Sequence, residues 1–149
     1  MESPPMVILM AEDNEHDIFA TRRAWKQNNI ANKLHIVNDG EQCLDYLYRR
    51  GAYSDPASSP RPGLLLLDLN MPRLDGIGVL KVIRSDKAFC HLPVVVLTTS
   101  REDEDVIAIH DLCISAYIVK PVGFANFSEA IRRINLFWQL VQRSPICQP

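Results

Sequence analysis

No stretch of this sequence approaches the roughly 18 consecutive apolar residues that a membrane-spanning helix needs. The opening residues, MESPPMVILMAEDNE, start acidic and hold only a short apolar run, so they do not read as a secretory leader. Charge of one sign is also lacking. Sixteen Lys and Arg face 18 Asp and Glu for a net charge of -2, which excludes bulk attraction to nucleic acid or anionic membranes. Cysteine is sparse and scattered: Cys43, Cys90, Cys113 and Cys147 form no C-x-x-C pair. The four histidines form no H-x-x-x-H pair, so a zinc site is not indicated. The cysteines are read as reduced, three as small hydrophobes and one in the tail. No G-x-G-x-x-G follows the first apolar run, which argues against dinucleotide binding. The expectation is a cytoplasmic chain. Its 149 residues, 47% hydrophobic and 23% charged, suit one globular domain with a core of its own.

What is present is an alternation of short apolar runs with longer helical patterns. MVILMA (6–11), KLHIV (33–37), LLLLDL (64–69), PVVVLT (93–98) and AYIVK (116–120) read as five strands. Their continuous apolar character marks a parallel sheet covered on both faces. Helical spacing appears over 15–28, with Asn14 as N-cap, and over 41–49, 76–86, 102–112 and 124–142. NDG (38–40) reads as a turn, and the Pro- and Ser-rich segment 50–63 as a surface loop. The order βαβαβαβαβα gives an α/β fold with no internal repeat. The seven residues after 142 read as a tail.

LLLLDLNMPRLDG (64–76) poses the functional question. Four leucines run straight into Asp68, and a carboxylate at the end of a buried strand is costly unless something compensates it. In open parallel sheets ligands bind at the carboxyl ends of the strands. Strand one ends at Glu12 and Asp13, strand three at Asp68 followed by Asn70, strand four at Thr98, and strand five at Lys120. Strand two ends at Asn38 and Asp39, which an edge position carries away from the centre. Taken singly, each of these is an ordinary turn or cap residue. Their conjunction on one rim is not ordinary. Three like charges there repel by about 4 kcal/mol per pair at 4 Å and an effective dielectric near 20. An all-oxygen set of few ligands suits Mg²⁺, and Lys120 adds a positive charge.

On these residues the sequence resembles the receiver domain of two-component response regulators. The match runs through VILMAEDNE, LLLLDLNMPRLDGIGVL, PVVVLTTS and AYIVKP, and covers about 6–142. SPRPGLLLLDLN, VVVLTTSREDEDV and the FW at 137–138 are similar to the single-domain receivers that partner cyanobacterial phytochromes. The resemblance implies a flavodoxin-like (βα)5 doubly wound sheet with strand order 2-1-3-4-5. It implies phosphorylation of Asp68 by a sensor histidine kinase, a bacterial phytochrome in the narrower reading. Mg²⁺ would be bound by Asp13, Asp68 and the backbone carbonyl of Asn70, with Glu12 acting through water. Lys120 would pair with a phosphoryl oxygen, Thr98 would donate its hydroxyl to another, and Tyr117 would be the aromatic switch. Lys120–Pro121 is a cis candidate. With no output domain expected, the signal would leave by protein contact through residues 102–142 (fourth helix, fifth strand, fifth helix), where Phe137, Trp138 and Val141 either cover the core or form a homodimer or kinase-docking surface. The expected role is that of a phosphoacceptor rather than an enzyme.

Two other readings compete. A Mg²⁺-dependent phosphatase of the haloacid-dehalogenase type also uses a nucleophilic Asp after a strand. It would place a second acid two residues later, where this chain has Asn70. A phosphorylation-independent binding scaffold would not need the set Asp13, Asp68, Thr98 and Lys120.

Overall fold

The computed structural model describes residues 5–99, 112–120 and 122–133. Five strands form one all-parallel sheet: β1 (Val7–Ala11), β2 (Leu34–Val37), β3 (Pro62–Asp68), β4 (Val94–Thr98) and β5 (Ala116–Val119). Their order is β2-β1-β3-β4-β5, the flavodoxin-like doubly wound order expected from the sequence. Four α-helices are described: α1 (Glu15–Gln27), α2 (Gly40–Leu47), α3 (Gly76–Arg84) and α4 (Phe124–Arg133).

The leucine run explains the layering. Side chains alternate across a strand, so Leu65 and Leu67 enter one core and Leu64 and Leu66 the other. The first core is closed by Cys43, Leu44 and Leu47 of α2 and by Val79, Leu80 and Ile83 of α3. The second is closed by Trp25 of α1 and by Phe127 and Ala130 of α4. Residues Leu64 to Leu67 are all 0% exposed, and each such side chain contributes on the order of 2 kcal/mol by leaving water. The central strand is therefore fixed from both sides, and its last residue, Asp68, has a fixed height on the rim.

The helices start where their caps dictate. Asn14, Asp39 and Asp75 each accept a backbone N–H of the first turn, from Asp17, Gln42 and Gly78. This corrects the reading of 38–40 as a simple turn: Asp39 caps α2, and Gly40 is its first residue. Strand three also starts earlier than expected, at Pro62, a position where a proline costs no ladder bond. Gly51–Tyr53 forms a 3-10 turn inside the expected loop.

On the rim away from the carboxylates, Arg84 closes α3. Its guanidinium donates to the carbonyls of Cys90 and Leu92 at 3.0 and 2.9 Å and to that of Cys113 at 2.8 Å. Cys113 is exposed and has a positive φ of 22°, so it is not the small core hydrophobe expected. Cys43 is buried and does act as one. The helix expected over 102–112, Pro121 with its peptide bond, and residues 134–149 lie outside the described residues. Leu112 is described, in irregular chain before β5. Among the described residues no helix is long and apolar enough to cross a membrane.

Candidate functional site

Each strand end delivers one polar group to the same rim. Asp68 closes β3, and its register partner on β4 is Leu97, one residue before Thr98. Thr98 is the register partner of Val119, directly before Lys120. Glu12 follows β1, whose Ala11 pairs with Leu67. Parallel registers therefore set Glu12 level with Asp68, with Thr98 one residue and Lys120 two residues further out on the same rim.

Burial makes this rim electrostatically tense. Glu12 is 0%, Asp68 2% and Thr98 1% exposed, while Asp13 is exposed. One carboxylate oxygen from each of Glu12, Asp13 and Asp68 lies within 4.8 Å of the others. Lys120 answers this charge: its Nζ lies 2.8 Å from Glu12 Oε2 and 3.1 Å from Asp68 Oδ2. Burial pushes the Glu12 carboxyl up to about 7. The Lys120 contact opposes that shift, and the neighbouring Asp68 adds to it. Burial also works against the Lys120 ammonium, but the Glu12 and Asp68 carboxylates outweigh it and raise the Lys120 pKa.

Backbone groups hold the acids in place. Asn14 N–H donates to Glu12 Oε1 at 3.0 Å, and Asn70 N–H donates to Asp68 Oδ1 at 3.1 Å. Gly76 N–H donates to the Leu69 carbonyl at 3.1 Å, folding the β3–α3 loop back beside Asp68. The same loop is braced from α2. Leu74 carbonyl accepts from Gly40 N–H at 2.9 Å, and a Cβ on Gly40 would lie 2.1 Å from that oxygen. Arg73, at φ 66°, pairs with the carboxylate of Asp39. Asp39 thus stays off the cluster, as expected from its edge strand, but it supports the loop that carries Asn70.

Tyr117 is half-buried and packs against the core on the α2–α3 side, with Val94 and Val96. Thr98 continues the Val94, Val96 alternation, so Thr98 and Tyr117 share one face of the sheet. The structure thus gathers Glu12, Asp13, Asp68 and Lys120 and sets Asn70 and Thr98 on the same rim, while Phe137, Trp138 and Val141 lie outside the described residues. The sequence reading missed Asp17, whose Oδ2 lies 3.1 Å from Lys120 Nζ. The available signal was its place in the first turn of a helix that starts directly after the Glu12–Asp13 pair.

The donor set at the cluster is all oxygen, with three carboxylates in mutual reach and one cation beside them. That chemistry suits a hard divalent cation, and the cluster fits the Mg²⁺ site of receiver domains. A carboxylate of this kind can act as a nucleophile, and the ammonium beside it would offset the charge that such a reaction develops.

Comparison with known proteins agrees with this geometry. The family model described as response regulator receiver domain matches residues 8–132. Response regulator Rcp1 of Synechocystis sp. is 38% identical over 136 residues, spanning 91% of this chain and 90% of Rcp1. The structure of the bacteriophytochrome response regulator RtBRR is 37% identical with a TM-score of 0.84, covering 95% of this chain and 84% of that one. The Mn(2+)-bound form of Rcp1 is 36% identical with a TM-score of 0.72, covering 94% of this chain and 98% of that one.

Proposed function

The chain belongs to the response regulator receiver family, and from that premise we propose that Asp68 is its phosphoacceptor, charged by a sensor histidine kinase of the phytochrome type. The observation that carries this is the placement of Asp68 Oδ2 3.1 Å from Lys120 Nζ, within a carboxylate cluster in mutual reach of 4.8 Å. A single-domain receiver over about 6–142, acting in the cytoplasm, is the matching organisation. The phytochrome partner is supported by the likeness to Rcp1 and to RtBRR, whose name marks it as a bacteriophytochrome response regulator.

In this reading a carboxylate oxygen of Asp68 attacks the phosphorus of a phosphohistidine. The P–N bond breaks, the imidazole leaves with the electron pair, and an acyl phosphate forms on Asp68. The transition state is loose, so the protein chiefly positions groups and offsets charge. Glu12, Asp13, Asp68 and the carbonyl of Asn70 would hold Mg²⁺. When bound, Mg²⁺ supplies charge neutralisation at the phosphoryl oxygens. Lys120 pairs with one of those oxygens, and the Thr98 hydroxyl donates to another. The new group carries roughly -1.5 to -2 charges. Movement of Thr98 toward it would open space on the sheet face that Tyr117 shares, which makes Tyr117 the switch residue.

Asn70 lacks the acid that a dehalogenase-type phosphatase would use there, which supports a stoichiometric phosphoacceptor over a turnover enzyme. Output would then pass by protein contact. The homodimer face proposed over 102–142 includes the edge strand β5, where Val119 is 51% exposed.

The deciding experiment compares wild type with Asp68→Asn, using acetyl phosphate and Mg²⁺ and then a phytochrome-type kinase. Intact mass should rise by one phosphoryl group in wild type and not in the variant. Undiminished phosphorylation of Asp68→Asn would overturn the assignment. Hydrolysis of phosphate esters in excess of protein would favour the phosphatase.

A further inference from the structure

Lys120 is met by three carboxylates, and only two of them belong to the cation cluster. Its Nζ lies 2.8 Å from Glu12 Oε2, 3.1 Å from Asp68 Oδ2 and 3.1 Å from Asp17 Oδ2. A lysine ammonium has three N–H donors, so each donor has a carboxylate to meet. The Lys120 side chain is 11% exposed and that of Asp17 20%, so this is no solvent-washed surface pair.

Asp17 is held where it stands by backbone contacts on both sides. Its N–H donates to Asn14 Oδ1 at 3.1 Å. Its carbonyl accepts from the hydroxyl of Thr21 at 2.8 Å, and Thr21 is 0% exposed. The carboxylate therefore projects from a rigid first helical turn. Glu12, Asp13 and Asp68 form the group whose oxygens could hold a metal ion together, and Asp17 is not among them.

This division has a consequence. Glu12 and Asp68, the same carboxylates that hold Lys120, would help to hold a divalent cation at the cluster. A phosphoryl group on Asp68 then occupies an oxygen of that residue. Asp17 is the partner that neither event recruits.

We propose that Asp17 is a positioning residue: it tethers the Lys120 ammonium over the phosphoryl-binding position once cation and phosphoryl group have claimed Glu12 and Asp68. This rests on Asp68 being the phosphoacceptor. With Asp17 in place, one donor of the ammonium stays fixed while the others turn to the phosphoryl oxygens. Without it, a compact charge on a flexible four-carbon stem follows whichever partner remains, and small misplacements are costly to reaction rate.

The test uses the whole chain as wild type, Asp17→Asn, Asp17→Ala, Asp17→Glu and Asp68→Asn, with acetyl phosphate and Mg²⁺. Asn and Ala both keep the two backbone contacts, and Ala removes the oxygen through which Asn could still accept from Lys120. The rate constant for phosphorylation at saturating acetyl phosphate should fall by about tenfold in Asp17→Ala, and Asp17→Glu should recover most of it. The Mg²⁺ dissociation constant, measured without phosphodonor, should stay within about twofold of wild type, because Asp17 is no cation ligand. The Lys120 ammonium resonance in Mg²⁺-loaded protein, sharp in wild type, should broaden in Asp17→Ala. A rate unchanged in Asp17→Ala, or lost in step with Mg²⁺ affinity, would overturn the inference. Failure of wild type itself to accept phosphate, or acceptance by Asp68→Asn, would instead strike the phosphoacceptor reading.

Discussion

The carbonyl oxygen of Asp68 fills the space that a side chain on Gly76 would need. A Cβ at Gly76 would lie 2.5 Å from that oxygen and 2.8 Å from Leu69 Cα. The atoms in the way are backbone, and backbone cannot rotate aside.

Gly76→Ala should therefore push the β3–α3 loop off Asp68. Overpacking of this kind costs about 1–3 kcal/mol. Thermal unfolding should show a lowered Tm, and the rate of phosphorylation by acetyl phosphate should fall in the folded protein. A variant as stable and as reactive as wild type would contradict the close approach.

Asp13 contributes a like charge to a crowded site while facing solvent. Asp13→Asn should raise stability, and with it the Tm, in Mg²⁺-free buffer by at most about 1 kcal/mol after solvent screening. The same variant should lose the stabilisation by Mg²⁺, which in wild type reaches about 2.7 kcal/mol at a hundredfold excess over Kd. Thermal melts with EDTA and with Mg²⁺ read both effects. A variant less stable than wild type without metal would count against charge repulsion.

The Tyr48 hydroxyl donates to Asp86 Oδ2. That bond, with a second from Ala88 N–H, holds the Asp86 carboxyl below its ordinary value. A depressed carboxyl contributes stability above its unfolded pKa and loses it as pH falls through the folded one. Burial, and then Asp86, push the Tyr48 phenol up to about 12. Its contribution is full below about 10 and is lost between there and about 12. Tyr48→Phe should raise the Asp86 pKa toward the ordinary range, and a carboxyl-carbon NMR titration would show it. An unmoved Asp86 titration would reject the bond.

Phe127 of α4 meets Trp25 of α1 with ring centroids 4.8 Å apart, and it is 1% exposed. Phe127→Ala should cost about 3–5 kcal/mol, with a lower urea midpoint and altered Trp25 fluorescence. A shift of the midpoint below a quarter of that size would show that α4 is not anchored there.

The strands were readable from the sequence because burial on both faces leaves continuous apolar runs, as at Leu64–Leu67. The rim followed, because each run ends in a polar residue and parallel strands end together. Caps and braces were harder. Asp39 looked like part of a turn although its cap bond to Gln42 is local; the brace on Gly40 was out of reach, because the carbonyl that crowds it belongs to Leu74, distant in sequence. Asp17 looked like a generic acid in a first helical turn. Its meaning depends on Lys120, which a crossover of about a hundred residues brings beside it. Local propensity carries no record of such pairings.

Arg84 has a consequence for how this chain can be altered. One guanidinium gathers carbonyls from the α3–β4 loop and from the approach to β5, two segments more than twenty residues apart. Their lengths are thereby coupled: lengthening either one leaves acceptors or donors stranded on the other. Grafted sequence is better received in the exposed segment 54–58 than on the rim that this arginine stitches.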